Sequence, residues 1–273
     1  MTHQPRKRFG QNFLHDNSVI YNILAHANPQ ADEHWVEIGP GLGALTKPLL
    51  QSGVQLDVVE LDRDLVATLQ KKFAAYDNIS IHSADALKFD FNALVKSGEK
   101  LRVIGNLPYN ISTPLMFHLL ENTGCVEDMH FMLQKEVVDR ICAEPGSKKY
   151  GRLSVMMQYF CETEWLFDVP PESFDPAPQV MSAIVKLTPH AQAPVEIENF
   201  QFFSLLVTQA FSQRRKTIRN SLKNFINEQA IIDLGIDANL RAESVSLAEF
   251  ALLSRESLRN NPVGLEPDLK VVD

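Results

Sequence analysis

A polar turn that directly follows an apolar run carries the side chains best suited to chemistry. The turn is Asn106-Leu107-Pro108-Tyr109, and the run before it is Leu101 to Gly105. Asn106 offers a carbonyl acceptor, Pro108 fixes the direction of the preceding carbonyl, and Tyr109 offers a flat face with a polar tip. Together they suit a planar base that carries an exocyclic amine.

An exocyclic amine is a poor nucleophile, because its lone pair is delocalised into the ring. The Asn106 side chain and the Leu107 carbonyl could accept its two N–H bonds and favour a pyramidal nitrogen whose lone pair faces an electrophile. Catalysis would then rest on positioning and electrostatics, without a basic side chain. The alternative is an ordinary strand that ends in a proline turn, with Tyr109 as packing.

The run before the turn has the composition of a buried strand. Leu101 and Val103-Ile104 suit a strand covered on both faces of a sheet. Pro108 cannot continue a central ladder, because it has no N–H group. In an open α/β sheet, ligands bind just past the carboxyl end of a strand, which is where this turn is expected.

A second ligand-binding signal is a glycine turn between a strand and a helix. The strand Trp35 to Ile38 precedes Gly39-Pro40-Gly41-Leu42-Gly43, and the next strand, Leu56 to Glu60, ends in an acid. Glycines allow close backbone approach to a ligand, and the acid receives ribose hydroxyls. The Gly-x-Gly-x-Gly order suits a nucleoside without a pyrophosphate, such as S-adenosylmethionine, better than NAD. A purely structural turn is the alternative.

The alternation of elements predicts the fold class. Further strands are expected at 79–82, 129–133, 164–169 and 182–187, and helices at 17–27, 44–50, 63–73, 153–160 and after Ser112 or Thr113. This order indicates an α/β fold with a mostly parallel, doubly wound, Rossmann-like sheet. Asp85 follows the third strand, where it either accepts a hydrogen bond from an adenine amino group or is a solvated loop acid.

Beyond a proline-rich connection the pattern becomes purely helical. The segment Val169 to Pro178 either presents Phe174 to a base opposite Tyr109 or buries Phe174 as packing. Helices are then expected at 202–211, 217–225, 228–234 and 247–254. We therefore expect a catalytic domain at 1–190 and a small all-helical domain at 191–273.

Two basic stretches stand out in a chain whose net charge is −8. Arg214, Arg215, Lys216, Arg219 and Lys223 occur within 210–225 without an acid, and three of them recur every four residues. Like charges at that spacing disfavour a helix, so an external phosphate would relieve them; a solvated face is the alternative. The second stretch is at the N-terminus and comprises Arg6, Lys7 and Arg8. We expect it to dock through the apolar residues that follow.

The composition of the chain argues against several classes of protein. The acidic balance argues against a generic polyanion binder, and no apolar run is long enough to span a membrane. Residues 1–10 lack an apolar stretch typical of a secretory signal, which makes a cytoplasmic location the default. The three cysteines and eight histidines show no metal-ligand spacing, so we expect no metal.

Several motifs together resemble one family, the small-subunit ribosomal RNA adenine-N6 dimethyltransferases of the KsgA/RsmA type. They run in family order across nearly the whole chain, and they are Arg8 to Leu14, Glu37 to Gly41, Glu60 to Asp62, Asp85-Ala86, Gly105 to Thr113, Tyr150 to Ser154 and Gln213 to Ser221. The resemblance implies a class I S-adenosylmethionine-dependent methyltransferase fold.

The resemblance also implies roles for individual residues. Contacts to S-adenosylmethionine are implied for Asn12, Leu14, Gly39, Glu60, Asp85 and Asn106, and the target adenine would be held by residues 106–109. Family members dimethylate two adjacent adenines in a hairpin loop near the 3′ end of small-subunit rRNA. The expected substrate is therefore a pre-30S ribosomal particle, bound in part by the helical domain, and we expect the enzyme to act as a monomer.

Two other functions stay open from the sequence. Large-subunit rRNA adenine dimethyltransferases of the antibiotic-resistance type share the fold and the reactive turn, but commonly have Ile where Leu107 stands, and the stretch Gln213 to Thr217 also separates the two types. A mainly non-catalytic small-subunit assembly factor would use the same basic stretch. A DNA adenine methyltransferase fits less well, because no target-recognition domain is visible.

Overall fold

The protein is described by a computed structural model, which covers residues 11–96, 98–108, 111–120 and 123–260. The chain divides into two compact units. The first contains the residues up to Asp139 and Cys161–Pro189, and the second contains Arg140–Phe160 and the residues from His190 onward.

Strands and helices alternate through the first 189 residues. In chain order they are β1 (Phe13–Leu14), α1 (Asn17–Ala27), β2 (His34–Ile38), α2 (Thr46–Gln51), β3 (Gln55–Glu60), α3 (Arg63–Lys72), β4 (Ile79–Ser83), β5 (Leu101–Asn106), α4 (Ser112–Leu120), β6 (Val126–Gln134), α5 (Lys135–Ile141), α6 (Arg152–Phe160), β7 (Cys161–Val169), β8 (Phe174–Asp175) and β9 (Ser182–Pro189). Short 3-10 helices lie at Phe91–Leu94, Thr123–Cys125 and Pro171–Ser173.

Seven strands form one sheet in the order β4-β3-β2-β5-β6-β9-β7. The five from β4 to β6 are parallel, whereas β9 runs antiparallel to both β6 and β7. The doubly wound α/β fold and all seven predicted strands are confirmed. Ile38 lies opposite both Val59 and Gly105, so the turns after β2, β3 and β5 leave the sheet at the same edge.

Capping side chains define where two helices begin. Asp16 accepts hydrogen bonds from the backbone N–H groups of Ser18 and Val19 at the start of α1. Asp62 accepts one from Asp64 N at 3.1 Å and starts α3 immediately after β3 ends. A carboxylate at this position satisfies N–H groups that lack a helical partner.

A buried ion pair joins the amino-terminal ends of the central strands. Arg102 on β5 donates to both carboxylate oxygens of Asp128 on β6, at 2.9 and 2.8 Å, and to Glu33 just before β2. Its guanidinium lies 4.3 Å from the centre of the Trp35 ring. Because the charge of Arg102 is fully paired, its burial does not leave an unsatisfied group in the core.

The second unit is helical. Besides α6 it contains α7 (Phe200–Phe211), α8 (Ile218–Ser221), α9 (Glu228–Asp233), α10 (Leu247–Asn260) and a 3-10 helix at Ala242–Ser244. The division has a break between Pro189 and His190, next to the predicted domain boundary at 190, but residues 140–160 also belong to the helical unit. The physical reason is that α6 packs against α7 and α10, so its buried residues share their core.

The predicted helix at 217–225 is wrong in length, since α8 spans only Ile218–Ser221. The backbone N–H groups of Ile218 and Arg219 donate to the carbonyls of Leu240 and Ala238, which ties the start of the helix to a distant segment. Arg215 and Lys223 therefore lie outside the helix. The expected stacking of three cations along one helical face is not present.

Candidate active site

A cavity of about 330 Å³ opens at the sheet edge where β2, β3, β4 and β5 end. Every residue predicted to contact the cofactor lines it, together with Leu107 and Pro108; the predicted set is Asn12, Leu14, Gly39, Glu60, Asp85 and Asn106. The register of the parallel strands explains this meeting, because their carboxyl ends align at one edge. The roles of these residues stay predictions; their common location is a property of the structure.

The orientation of the Asn106 side chain follows from its hydrogen bond. Asn106 Nδ2 donates to the carbonyl oxygen of Asn12 at 3.0 Å. A carbonyl can only accept, so the amide nitrogen must face Asn12 and the Oδ1 atom must face the other way. Asn106 Oδ1 is therefore the atom of this side chain that could accept a hydrogen bond from a ligand, and that role stays a prediction.

The next residue is held through its backbone. Leu107 N donates to Met132 O of β6 at 3.2 Å, and the Leu107 side chain is buried. Pro108 O in turn accepts from Ile111 N at 3.1 Å. The turn is thus fixed on both sides of the Leu107 carbonyl. Tyr109 lies outside the described residues.

The glycine turn brings its backbone against a phenyl ring. Gly41 has φ of +57°, and a Cβ atom there would lie 2.9 Å from Phe13 Cδ1. Gly39 N donates to Val59 O at 3.0 Å, which ties the turn to the end of β3. Only glycine combines the left-handed backbone with this close approach, so the turn can form a narrow wall of the cavity.

The acid at the end of β3 is buried and surrounded by backbone donors. Glu60 accepts a hydrogen bond from Asp62 N at 2.8 Å, and the N–H groups of Gly41 and Leu61 also donate to it. Burial raises the pKa of Glu60, and these three N–H groups oppose the rise. A carboxylate so oriented at a cavity wall can accept hydrogen bonds from ligand hydroxyls.

Glu37 is a cavity residue to which the sequence assigned no ligand contact. It is 2% exposed and accepts a hydrogen bond from Thr46 Oγ1 at 2.5 Å. Burial raises its pKa to about 7, and the nearby charge of Glu60 adds to the rise. Its position two residues before Gly39, the first residue of the glycine turn, was a signal for its place in the site.

Two apolar side chains at the cavity were also missed. Leu42 and Leu61 line it and are 39% and 51% exposed. Large apolar side chains that stay exposed beside a cavity are suited to a flat, apolar ligand surface such as a purine. Leu61 directly follows Glu60, and its exposure could not be inferred from the sequence.

Asp85 lines the cavity, and its contact with an adenine amino group stays a prediction. It accepts a hydrogen bond from Leu87 N at 3.1 Å in the turn after β4. This bond fixes the direction of its carboxylate while leaving further lone pairs for a ligand.

Phe174 differs from the expectation that it would face a base. It is 3% exposed, belongs to the core that contains Leu14 and Trp35, and does not line the cavity. The reason is that β8 pairs with β1, with Phe174 opposite Leu14, which directs the ring into the core. The alternative raised by the sequence, packing, describes Phe174 in this structure.

The cations predicted to bind RNA belong to the second unit. Arg214, Arg215, Lys216, Arg219 and Lys223 are all exposed. Arg219 Nη1 lies 2.8 Å from Glu228 Oε1, so an acid from α9 pairs with one of them. Their role in RNA binding stays a prediction. The other predicted RNA contacts, namely Arg6, Lys7 and Arg8, lie outside the described residues.

Metal sites and membrane-spanning helices are both absent from the part of the chain that the structure describes. Within it, no group of three His, Cys, Asp or Glu side chains is arranged to hold a metal ion. Its helices are all too short or too polar to cross a bilayer.

Comparison with known proteins adds to this geometry. The family model for ribosomal RNA adenine dimethylases matches residues 2–257. Ribosomal RNA small subunit methyltransferase A from Methylococcus capsulatus is 55% identical over 256 residues, which cover 94% of this chain and 99% of that protein. Two crystal structures are similar at 25% identity. A dimethyladenosine transferase from Plasmodium falciparum has a TM-score of 0.75, covering 88% of this chain and 95% of its own. The 23S rRNA methyltransferase ErmE has a TM-score of 0.71, covering 90% and 99%. From the extent of the family match and the 55% identity, the chain belongs to the ribosomal RNA adenine dimethylase family.

Proposed function

We propose that this protein is a small-subunit rRNA adenine-N6 dimethyltransferase that uses S-adenosylmethionine. Its substrate would be two adjacent adenines in a hairpin loop near the 3′ end of the rRNA. The observation that carries the proposal is the orientation of Asn106, whose Oδ1 acceptor is set by the bond to Asn12 at the wall of the cavity. The family membership supports the same reaction.

The residues of the cavity fit S-adenosylmethionine. Glu60 would accept from the ribose hydroxyls, Asp85 from the adenine amino group, and Gly39 would let the backbone approach the ligand, with Asn12 and Leu14 completing the contacts. When bound, S-adenosylmethionine supplies an electrophilic methyl group on a sulfonium. The apolar surfaces of Leu42 and Leu61 suit the purine, and the buried carboxylates suit a ligand with positive charge.

The reactive turn acts by holding the target amine. Asn106 Oδ1 and the Leu107 carbonyl accept hydrogen bonds from the two N–H groups of this amine. This arrangement favours a pyramidal nitrogen whose lone pair is free to attack an electrophile. Both acceptors are neutral oxygens that stabilise positive charge as it develops on the amine. The bonds from Asn106 Nδ2 to Asn12 and from Leu107 N to Met132 keep them in place before the substrate arrives.

The target RNA is inferred from the relatives and from two sequence differences. The relative at 55% identity is named for the small subunit, whereas ErmE, named for 23S rRNA, is 25% identical. Leu107 and the stretch Gln213 to Thr217 favour the first type. We further propose a pre-30S particle as the substrate, a monomer as the active form and the cytoplasm as the location.

The experiment uses small subunits that lack the two dimethylated adenines, with labelled S-adenosylmethionine and mass spectrometry of the digested rRNA. The parent protein should yield dimethyladenosine at adjacent adenines. Asn106→Ala should lose about 10²- to 10³-fold in rate, because one preorganised acceptor is removed. Asn239→Ala, which changes an exposed asparagine of the helical unit, serves as the matched control.

Three outcomes would contradict the proposal. Label found only on naked large-subunit rRNA would indicate the resistance type. If the parent bound subunits without transferring label, an assembly factor would be the better description. Asn106→Ala with the parent's rate would refute the mechanism.

A further inference from the structure

A second basic segment lies beside the predicted RNA-binding residues. Residues 146–152 contain Lys148, Lys149 and Arg152, and residues 212–217 contain Arg214, Arg215 and Lys216; neither stretch contains an acid. All six side chains are exposed in the helical unit. We call these six residues the basic surface. The whole chain has a net charge of −8, so these two short segments, with three cations each, differ from it in the sign of their charge.

A hydrogen bond holds the two segments together. Arg214 Nη2 donates to the backbone carbonyl of Lys148 at 2.8 Å. A guanidinium has five N–H donors in a planar fork, so this bond leaves others directed to solvent. Arg214 therefore positions the loop that carries Lys148 and Lys149, and it can still bind an anion.

Buried aromatic rings also hold the same two segments together. Tyr150, which follows the two lysines, is 1% exposed, and its ring centre lies 6.2 Å from that of Phe211 in an edge-on arrangement. Phe211 ends α7 and directly precedes the segment with Arg214. On its other side the loop is tied by Gly146 N, which donates to Glu243 O at 2.7 Å. These buried contacts make the loop a fixed support for its charges.

The charge balance stays positive when nearby acids are counted. Glu144 and Glu249 are close enough to Tyr150 to contribute to its raised pKa, after the effect of burial. Glu243, whose backbone is bonded to Gly146, adds a third acid, and three acids beside six cations still leave an excess of positive charge. Closely spaced cations repel each other, and a polyanion relieves that repulsion while releasing its own counterions.

We infer that residues 146–152 are a second arm of the RNA-binding site, and that the basic surface binds phosphates of the rRNA backbone. This inference rests on the proposed function for the identity of the RNA, and it extends the site to Lys148, Lys149 and Arg152, which the sequence did not assign to RNA. Phosphate contacts of this kind orient the substrate and do not read its bases.

The test is the salt dependence of binding to unmethylated small subunits. The full-length Lys148→Gln/Lys149→Gln variant is compared with the parent and with Lys71→Gln, which removes one charge from an exposed lysine on α3. Each lost phosphate contact should lower the slope of log K against log salt by about 1. It should also weaken binding about eightfold at about 0.1 M salt. Lys71→Gln should match the parent, and affinity for S-adenosylmethionine should be equal in all three.

The outcomes decide the inference independently of the proposed function. Unchanged affinity and slope in the double variant would overturn it, and weaker binding with an unchanged slope would overturn the assignment to phosphate in favour of a protein surface. Methyl transfer by the parent is measured in the same samples. A parent that binds with the expected slope without transferring methyl groups would refute the proposed function and leave the second arm intact.

Discussion

Gly105→Ala should disturb the reactive turn without changing any group that contacts a ligand. Gly105 lies on β5 opposite Ile38 of β2 and directly precedes Asn106. A Cβ atom at this position would lie 2.6 Å from the Ile38 carbonyl oxygen and 3.0 Å from Leu107 Cδ2. Because real Cβ atoms do not approach closer than 3.0 Å, β5 must shift by about 0.4 Å or more.

The shift is transmitted to the two acceptors. A displacement of about 1 Å from productive geometry costs about 10²-fold in rate, so a shift of about 0.4 Å is expected to lower kcat about sixfold. Overpacking between two central strands should also lower the free energy of unfolding by about 1–3 kcal/mol. The carbonyl of Ile38 belongs to the backbone ladder, which leaves no flexible side chain to absorb the overlap.

The measurements are kcat for methyl transfer to small subunits and urea denaturation of the same preparations. Gly124→Ala is the matched control, since a Cβ atom there meets nothing within 4 Å. It should retain the parent's kcat and stability. If Gly105→Ala lost stability but kept the parent's kcat, the link between strand position and the acceptors would be refuted. No loss of either would refute the overlap itself.

Three further substitutions test the cofactor wall, a buried hydroxyl and a buried imidazole. Glu60→Gln should raise the dissociation constant for S-adenosylmethionine about 10- to 150-fold, because a charged acceptor contributes about 1.5–3 kcal/mol. Calorimetry of S-adenosylmethionine binding checks this, with Asp64→Asn as the control variant. Equal affinities of the two variants would show that Glu60 does not contact the ligand. Tyr150→Phe should raise the free energy of unfolding by about 1 kcal/mol, since the Tyr150 hydroxyl is buried without a partner among the described residues. A marked decrease in this free energy, measured by urea denaturation, would mean that the hydroxyl forms a hydrogen bond. Burial lowers the pKa of His130 from 6.5 to about 4, so between these values the unfolded chain binds more protons and stability falls as the pH falls. Between about pH 6.5 and about pH 5, the free energy of unfolding of His130→Leu should therefore fall by about 2 kcal/mol less than that of the parent. Parallel curves of stability against pH for the two proteins would contradict this.

The strands of the sheet were predictable because the signal for each strand lies within a short run of consecutive residues. Val36 and Ile38, like Val103 and Ile104, lie in short apolar runs that end at glycine or proline turns. Parallel strands buried on both faces require such runs, so the pattern persists whatever the neighbours are. The two-residue strands β1 and β8 were missed because a pair of residues carries no periodicity.

The cavity residues were predictable for a related reason. Glu60 and Asn106 end a strand and Gly39 and Asp85 come shortly after one, and parallel strands place their carboxyl ends at one edge. The topology therefore collects residues that are distant in the sequence. The contribution of Leu42 and Leu61 was not predictable, because exposure of an apolar side chain depends on which surfaces pack over it.

The sequence by itself determined the α/β class, the seven strands, the glycine turn and the cavity residues at or just after the strand ends, because these depend on local periodicity and on one shared topology. Only the tertiary structure decided that Phe174 packs in the core, that residues 140–160 join the helical unit and that α8 is short. It also placed Lys148 beside Arg214. These features depend on contacts between segments far apart in the chain, whose energy comes from burial and from hydrogen bonds that no local pattern specifies.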